Sequence, residues 1–492
     1  MVKKSISGVM VFLFLLPVLS LAAAYGTYIG GESGDYGEYI AIDSAGYIYL
    51  TGYTFSTGLP VTPGAFQPAY NNAVNSFITD TFVAKFSPDL SSLIYCTYFG
   101  GSGGDYPVGI KVDKEGNVYI AGYTTSSTLP VTSGAYQTTF NGGSNDGFVA
   151  KLNPTGTGLL YCTYFGGNNT DRVYDFVLDS ADNVYLAGLT QSSNFPVSAT
   201  AKQKECGGCD GFIAKLNSTG TGILYSTYFG GSAYDYGYGI SIDDQGRAVV
   251  VGNTQSTNLP VTSGVKQPTN AGGNYDAFVV KVNQDGSDWI YATYLGGSGE
   301  DQGLKIALDT TGAAYVLATG DSTDYPVTAL AYQTTNHGSY DAMVTKVNAD
   351  GTDWLYSTYL GGDNMEYVQN ITYTPDGKVC VSGYTPSDGY PVTGDALYPT
   401  RPASYSGFIS ILNGSLSSLI MSTYLGGNTW DQMYSSAFDA NGIPVVCGQT
   451  FGNNFPVTAG AFDTTLGGSY DAFVYKFAAP YVPVELSGFC SE

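Results

Sequence analysis

Histidine is almost missing from this chain: His337 is the only one in 492 residues. A Ser-His-Asp set cannot be assembled around it, and most imidazole-based metal chemistry goes with it. Charge is scarce and one-sided, with 12% charged residues, 18 basic against 41 acidic, and a net charge of −23. Such a surface opposes phosphate backbones and anionic membranes, so nucleic acid is not an expected partner. No apolar run reaches the roughly 20 residues of a membrane helix, and no membrane span is expected. No segment holds a 3.6-residue apolar period with caps, which argues against a helical or leucine-rich solenoid. A glycine-rich phosphate loop before a helix and sialidase-type Asp boxes are also lacking. Cysteines number seven without a zinc pattern, since Cys206-Gly207-Gly208-Cys209 has no second pair and no neighbouring histidine.

Glycine and tyrosine are plentiful, at 66 and 43 residues, as expected for aromatic strands joined by glycine turns. The first 24 residues have the form of an export signal: Lys3 and Lys4, an apolar run from Val9 to Leu21, then Ala22 to Ala24. Their removal leaves the chain two charges more negative. The expected location is secreted, extracellular or on the cell surface, where the Cys206/Cys209 loop pair reads as a local disulfide. Cys490, in the tail 478–492, is either free or intermolecular.

A Thr-Tyr-x-Gly-Gly motif starts at Thr27, Thr97, Thr163, Thr227, Thr293, Thr358 and Thr423, at spacings of 64 to 70 residues. Regularity of this kind marks one repeating unit. Within a unit, Gly109 to Asp113 and Asn117 to Gly122 read as a hairpin across Lys114-Glu115-Gly116. A second hairpin joins Asp146–Leu152 to Leu159–Phe165 across Asn153 to Gly156. Four antiparallel strands per repeat make a propeller blade. The last period stops after Asp471 to Phe477, without a fourth strand, whereas Tyr25 to Gly31 is a fourth strand without a blade. The spacing therefore predicts an all-β, seven-bladed propeller over 25–477. Its blades fall near 30–99, 100–165, 166–229, 230–295, 296–360, 361–425 and 426–477, and the closing strand 25–31 completes blade seven.

These elements resemble the SBBP repeats of bacterial and archaeal exported proteins, through Thr293-Tyr294-Leu295-Gly296-Gly297, Asp113 to Gly122, Pro260-Val261-Thr262 and Asp276 to Lys281. The resemblance implies a β-propeller outside the cytoplasm. It does not imply a defined activity.

Four residues after the second glycine of each motif stands an acid: Asp35, Asp105, Asp171, Asp235, Asp301, Glu366 and Asp431. At the entry to the innermost strand, these acids are expected to ring one mouth of the central channel. One reading is a cation site, with Ca²⁺ as the hard cation that takes several carboxylate oxygens. The other is that each carboxylate accepts backbone amides in its own glycine-rich turn. A second series, Asp43, Asp113, Asp179, Asp243, Asp309 and Asp439 with Thr374 in blade six, opens the inner hairpin turn as ordinary turn chemistry. A third, Asp80, Asp146, Asp210, Asp276, Asp341 and Asp471 with Ser406 as the exception, precedes the third strand as a loop cap. The long loops after the second strand, anchored at Pro60, Pro130, Pro196, Pro260, Pro326, Pro391 and Pro456, vary beyond the anchor. They carry tyrosines such as Tyr275, Tyr340 and Tyr470 that suit sugar or protein contact.

No catalytic constellation emerges, because the acids are repeated where a glycosidase needs two that differ. The expected function is a non-enzymatic scaffold that binds a surface or matrix protein or a polysaccharide, or assembles with itself, through its loop face. The alternatives are a carbohydrate-active enzyme, glycosidase or lyase, and a subunit of an extracellular filament or surface layer.

Overall fold

The computed structural model describes residues 24–71 and 78–478. The expected leader up to residue 23, and the tail from 479 with Cys490, lie outside the described residues.

Seven four-stranded antiparallel sheets are arranged in a ring, with no helix among the described residues. Blade one is typical, with strands Asp35–Ile42, Ile48–Thr54, Asp80–Phe86 and Leu93–Phe99 in spatial order. The innermost strands of blades two to seven are Asp105–Val112, Asp171–Leu178, Asp235–Ile242, Asp301–Leu308, Tyr367–Tyr373 and Asp431–Phe438. Each packs against its neighbours on both sides, and that of blade seven packs on that of blade one. Blade seven takes its outer strand from the other end of the chain: Tyr25–Ile29 pairs antiparallel with Asp471–Lys476, from Tyr25↔Lys476 to Ile29↔Ala472. The ring is therefore closed as the repeat phase predicts, and no blade lacks its outer strand.

Alternating side chains explain the packing. The second and third strands are buried on both faces, so their apolar residues, with those of the inner half of the fourth, form layers between blades, such as Tyr49, Val83 and Phe99 of blade one against Ile120, Phe148 and Ala150 of blade two. Phe99 and Phe148 stack at 5.6 Å. Burying each such ring contributes about 1.5–3 kcal/mol. The motif tyrosine locks the long loop: Tyr164 donates its hydroxyl to the Ser126 carbonyl at 2.8 Å and accepts the Leu129 amide at 2.9 Å. The residue before each loop proline, Leu59, Leu129, Phe195, Leu259, Tyr325, Tyr390 or Phe455, is buried.

Every innermost strand carries a β-bulge two to four residues after its acid position, as at Gly37/Tyr39 in blade one. Opposite it the second strand holds a glycine in six blades. A Cβ on Gly52 would lie 1.7 Å from the Tyr36 carbonyl oxygen, so the backbones can approach only without a side chain. The bulge twists the strand and turns its following residues toward the channel.

Candidate ligand site at the channel mouth

The seven motif acids do not open onto the channel. All are 0–1% exposed, which corrects the expected channel-mouth ring. The cause is strand alternation: the acid points into the junction between blades, and the residue after it faces the mouth. Asp35, Asp105, Asp171, Asp235, Asp301 and Asp431 each accept the amide of their motif's second glycine, at 2.6–2.8 Å. Serine hydroxyls donate to six of the seven, Ser126 to Asp105 at 3.0 Å and Ser387 to Glu366 at 2.6 Å among them. Thr54 and Thr124 donate to Asp35 and Asp105.

The acid's own amide then ties one blade to the previous one: Asp105 N donates to the Thr79 carbonyl at 2.9 Å, with equivalents at Asp35, Asp171, Asp235, Asp301, Glu366 and Asp431. These carboxylates are joints of the fold. They do not converge on one ion. Among the described residues, the only three potential ligands gathered within 4.8 Å are Asp113, Glu115 and Asp182, at the opposite end, where Asp113 already pairs with Lys151 at 3.0 Å. The expected calcium ring thus has no shared cage.

The third series meets the first across each junction. A Cβ on Gly166 would lie 2.8 Å from Asp146 Oδ1 and 2.9 Å from Asp171 Oδ2; Gly30, Gly100, Gly230, Gly296 and Gly361 mark the same meeting in other blades. Six junctions therefore bury two acids, while the seventh faces Asp431 with Ser406. Burial raises Asp105, Asp146, Asp210 and Asp276 to about 7, and Asp35, Asp171, Asp301 and Asp431 to about 6, against the hydrogen bonds that favour their charged forms. Burial also holds Glu366 well above the usual range, with Asp341 adding to the shift.

At the other end of the blades, the turn acids are paired with lysines from the third strand: Asp43–Lys85 at 3.8 Å, Asp113–Lys151, Asp179–Lys215, Asp243–Lys281 and Asp439–Lys476 at 3.0 Å, and Asp309–Lys346 at 2.7 Å. Blade six has Thr374 and, at the lysine position, Ile411, so both partners change together.

The residues facing the mouth differ from blade to blade. The position after the acid and its cross-strand partner are Tyr36/Tyr53, Tyr106/Tyr123, Arg172/Leu189, Tyr236/Asn253, Gln302/Thr319, Tyr367/Tyr384 and Gln432/Gln449. Three pairs are stacked tyrosines, at 4.3, 5.1 and 4.7 Å between centroids. Rings continue from Tyr405 to Trp430 (4.9 Å), Phe451 (6.0 Å), Tyr470 (4.7 Å) and Tyr36 (5.1 Å), so an aromatic collar lines the mouth along blades six, seven, one and two. Tyr470 belongs to it. Tyr275 approaches Tyr236 at 6.3 Å.

The collar gives way over blades three to five to a cleft of about 500 Å³ that includes Arg172, Tyr174, Tyr236, Tyr238, Asn253 and Gln302. Deeper in the channel, charged groups come from only some blades: Glu38, Lys111, Asp175 and Lys305. Lys305 Nζ lies 3.5 Å from Asp175 Oδ2. Confinement raises Glu38 to about 8, opposed by Lys305, and lowers Lys111, opposed by Asp175. None of these mouth and channel positions stands out by repetition. The signal for them is alternation, one residue beyond each repeated acid.

Cys206 and Cys209 are free thiols, so the expected local disulfide is not formed. Cys206 Sγ points to the Gly208 carbonyl at 3.1 Å, whereas Cys209 is 4% exposed beneath the loop.

The SBBP β-propeller repeat family matches residues 24–60, 94–130, 160–196 and 224–260, which hold the first four of the seven motifs. No curated protein matches the chain. Among solved structures, a protein of unknown function from Dyadobacter fermentans is similar at 13% identity, covering 92% of this chain and 97% of its own, with a TM-score of 0.43. A PL25 ulvan lyase is similar at 10%, with 85% and 93% covered and a TM-score of 0.46. A quinohemoprotein alcohol dehydrogenase from Pseudomonas putida HK5 is similar at 9%, with 93% and 76% covered and a TM-score of 0.40. No activity follows for this chain from those similarities. The chain is thus a seven-bladed β-propeller whose first four repeats match the SBBP β-propeller repeat.

Proposed function

We propose that this propeller is a secreted or cell-surface, non-enzymatic scaffold whose loop-face channel mouth binds an extracellular ligand. One observation carries the reading. The acids repeated in every blade are buried joints, whereas the side chains one residue further on differ around the ring and line the mouth with tyrosines and amides. A rigid frame with varied side chains at one opening is how propellers and other scaffolds present binding surfaces. The export-signal pattern of the first 24 residues, and the absence among the described residues of any helix long and apolar enough to cross a membrane, are compatible with this location.

The test is a binding screen of cell-envelope preparations, polysaccharides and surface proteins with the chain lacking residues 1–24, beside a Tyr106→Ala/Tyr367→Ala variant. Binding that the double variant loses while it stays folded, with a melting temperature within a few degrees of the parent, supports the mouth. Binding unaffected by that variant places the function elsewhere on the surface.

A further inference from the structure

The cleft over blades three to five differs from the rest of the mouth in ways that specify a ligand. In blades one, two and six, each mouth tyrosine is covered by a second tyrosine across the ladder. In blade four the partner of Tyr236 is Asn253, and the nearest rings, Tyr238, Tyr234 and Tyr275, stand 5.8–6.3 Å away. The collar's covered rings become a partly exposed shelf of Tyr236, Tyr238 and Tyr174, the last two stacked at 4.7 Å. Aromatic faces left open beside amides suit the CH-rich face of a pyranose ring and its hydroxyls.

Asn253 supplies an independent sign. It is 3% exposed, and its side-chain oxygen, buried against the cleft, has no hydrogen-bond partner among the described residues. Buried acceptors are rarely left unmet in native structures, so an orphan on a residue that lines an open cleft points to a donor that a ligand brings once the amide turns toward it. A sugar hydroxyl is such a donor. Gln302 and Gln191 line the same cleft with further amide groups.

Arg172 adds sign of charge. Its guanidinium lies over the Tyr123 ring at 4.9 Å and its Nε donates to Asn145 Oδ1 at 2.9 Å, so it is oriented. It forms no ion pair among the described residues, although six lysines of this acid-rich chain are held by the repeated turn acids. An oriented arginine without a carboxylate partner recognises a carboxylate or sulfate in a planar, bidentate manner.

Resting on the mouth reading above and narrowing it, we infer that the cleft formed by Arg172, Tyr174, Tyr236, Tyr238, Asn253 and Gln302 is a subsite for an anionic saccharide, carboxylated or sulfated. The tyrosine shelf stacks on the sugar ring, Asn253 accepts a hydroxyl, and Arg172 pairs with the anionic group. The surrounding negative charge of the protein makes the interaction moderate in affinity. It weakens further when salt screens Arg172.

Calorimetry with the chain lacking residues 1–24 tests this, using tetragalacturonate, a sulfated carrageenan tetrasaccharide and neutral cellotetraose as probes. At least one anionic probe is expected to bind at least tenfold more tightly than cellotetraose, and the better of the two identifies the anionic group. Arg172→Gln is expected to remove that preference, and Asn253→Leu to weaken both anionic and neutral binding at least tenfold, with melting temperatures within a few degrees of the parent. Equal binding of all three probes, unchanged by Arg172→Gln, overturns the anionic assignment and leaves the mouth reading standing. Absence of binding to any saccharide, with a surface protein bound through the Tyr106/Tyr367 collar, overturns the saccharide assignment alone. If neither saccharides nor surface proteins bind, both readings fall.

Discussion

The acid at the start of each innermost strand and the residue that follows it are neighbours in sequence but belong to different regions of the molecule. The first region is close to uniform: seven buried carboxyls, six of which accept the motif glycine amide and six a serine hydroxyl, each tying one blade to the next through its own backbone amide. The second is varied, with Tyr, Tyr, Arg, Tyr, Gln, Tyr and Gln around the mouth. A β-strand turns successive side chains to opposite faces, so a single step along the chain moves from what holds the ring together to what the ring presents. Repetition therefore marks structure here, and its breakdown marks the site.

The sharpest way to break that contrast is to truncate both neighbours in one blade. Asp105→Ala leaves the Gly101 amide and the hydroxyls of Thr124 and Ser126 without their acceptor and is expected to cost about 3 kcal/mol or more. Tyr106→Ala loses the stack on Tyr123 and is expected to cost about 1 kcal/mol. Urea denaturation of the two variants measures the ratio, and comparable losses would erase the distinction.

Acidity tests the uniform region as a whole. Asp35, Asp105, Asp171, Asp301 and Asp431 of that region, with Asp146, Asp210 and Asp276 facing it across the junctions, sit at about 6–7 when folded and near 4 when unfolded. The folded state therefore holds their protons more tightly, and the stability they contribute is complete below pH ~4 and lost as pH rises through 6 and 7. The turn acids act in the opposite sense. Burial would raise Asp113, Asp179, Asp309 and Asp439, yet hydrogen bonds, the paired lysine's among them, hold them below their usual value, so their contribution fades only as pH falls below about 4. The melting temperature is expected to rise by several degrees from pH 8 to pH 5 and to fall again below pH 4. A flat profile between pH 5 and 8 would contradict the burial of the junction acids.

Blade six offers the natural control, because it has given up the ion pair at one end and the second acid at the other. Copying its Thr374/Ile411 choice into blade five as Asp309→Thr with Lys346→Ile should be nearly neutral. Asp309→Thr alone, which strands Lys346 at 14% side-chain exposure, is expected to cost about 2–3 kcal/mol. A double-mutant cycle by thermal unfolding gives the coupling. The smallest effect is expected from Ser406→Asp, which restores a two-acid junction beside Asp431: a few degrees of melting temperature lost at pH 8 and almost none at pH 5.

Most of the architecture was legible in the spacing of Thr-Tyr-x-Gly-Gly, because that motif lies at the end of one blade and the start of the next, where local turn chemistry and global ring geometry coincide. Even the closing role of residues 25–31 followed from the phase of the repeat. The site was less legible. Reading the acids as a channel ring placed them at the right end of the blades but on the wrong face of the strand, since the bulge and the preceding glycine turn decide which residue enters the junction. The loop sequences point to Tyr470 and Tyr275, whereas Arg172, Asn253 and Gln302 lie within strands and carry no motif. What identifies them is an arginine without an ion pair and a buried amide without a partner, and both are properties of three-dimensional neighbours. The Cys206/Cys209 pairing failed for a similar reason, as loop spacing does not say which way two thiols turn.

The clasp between Tyr25–Ile29 and Asp471–Lys476 also sets a timetable. Gly26 donates its amide to the Thr458 hydroxyl at 2.6 Å across 432 residues of chain, so the earliest strand of the ring has no partner until nearly the last one is available. Each blade can form from local hairpins, but the ring stays an open arc until its two ends meet, and that final pairing bears the full loop-closure delay of a long-range contact. A chaperone that shields residues 25–29 during that interval would act on the single step that no amount of fast local folding can bring forward.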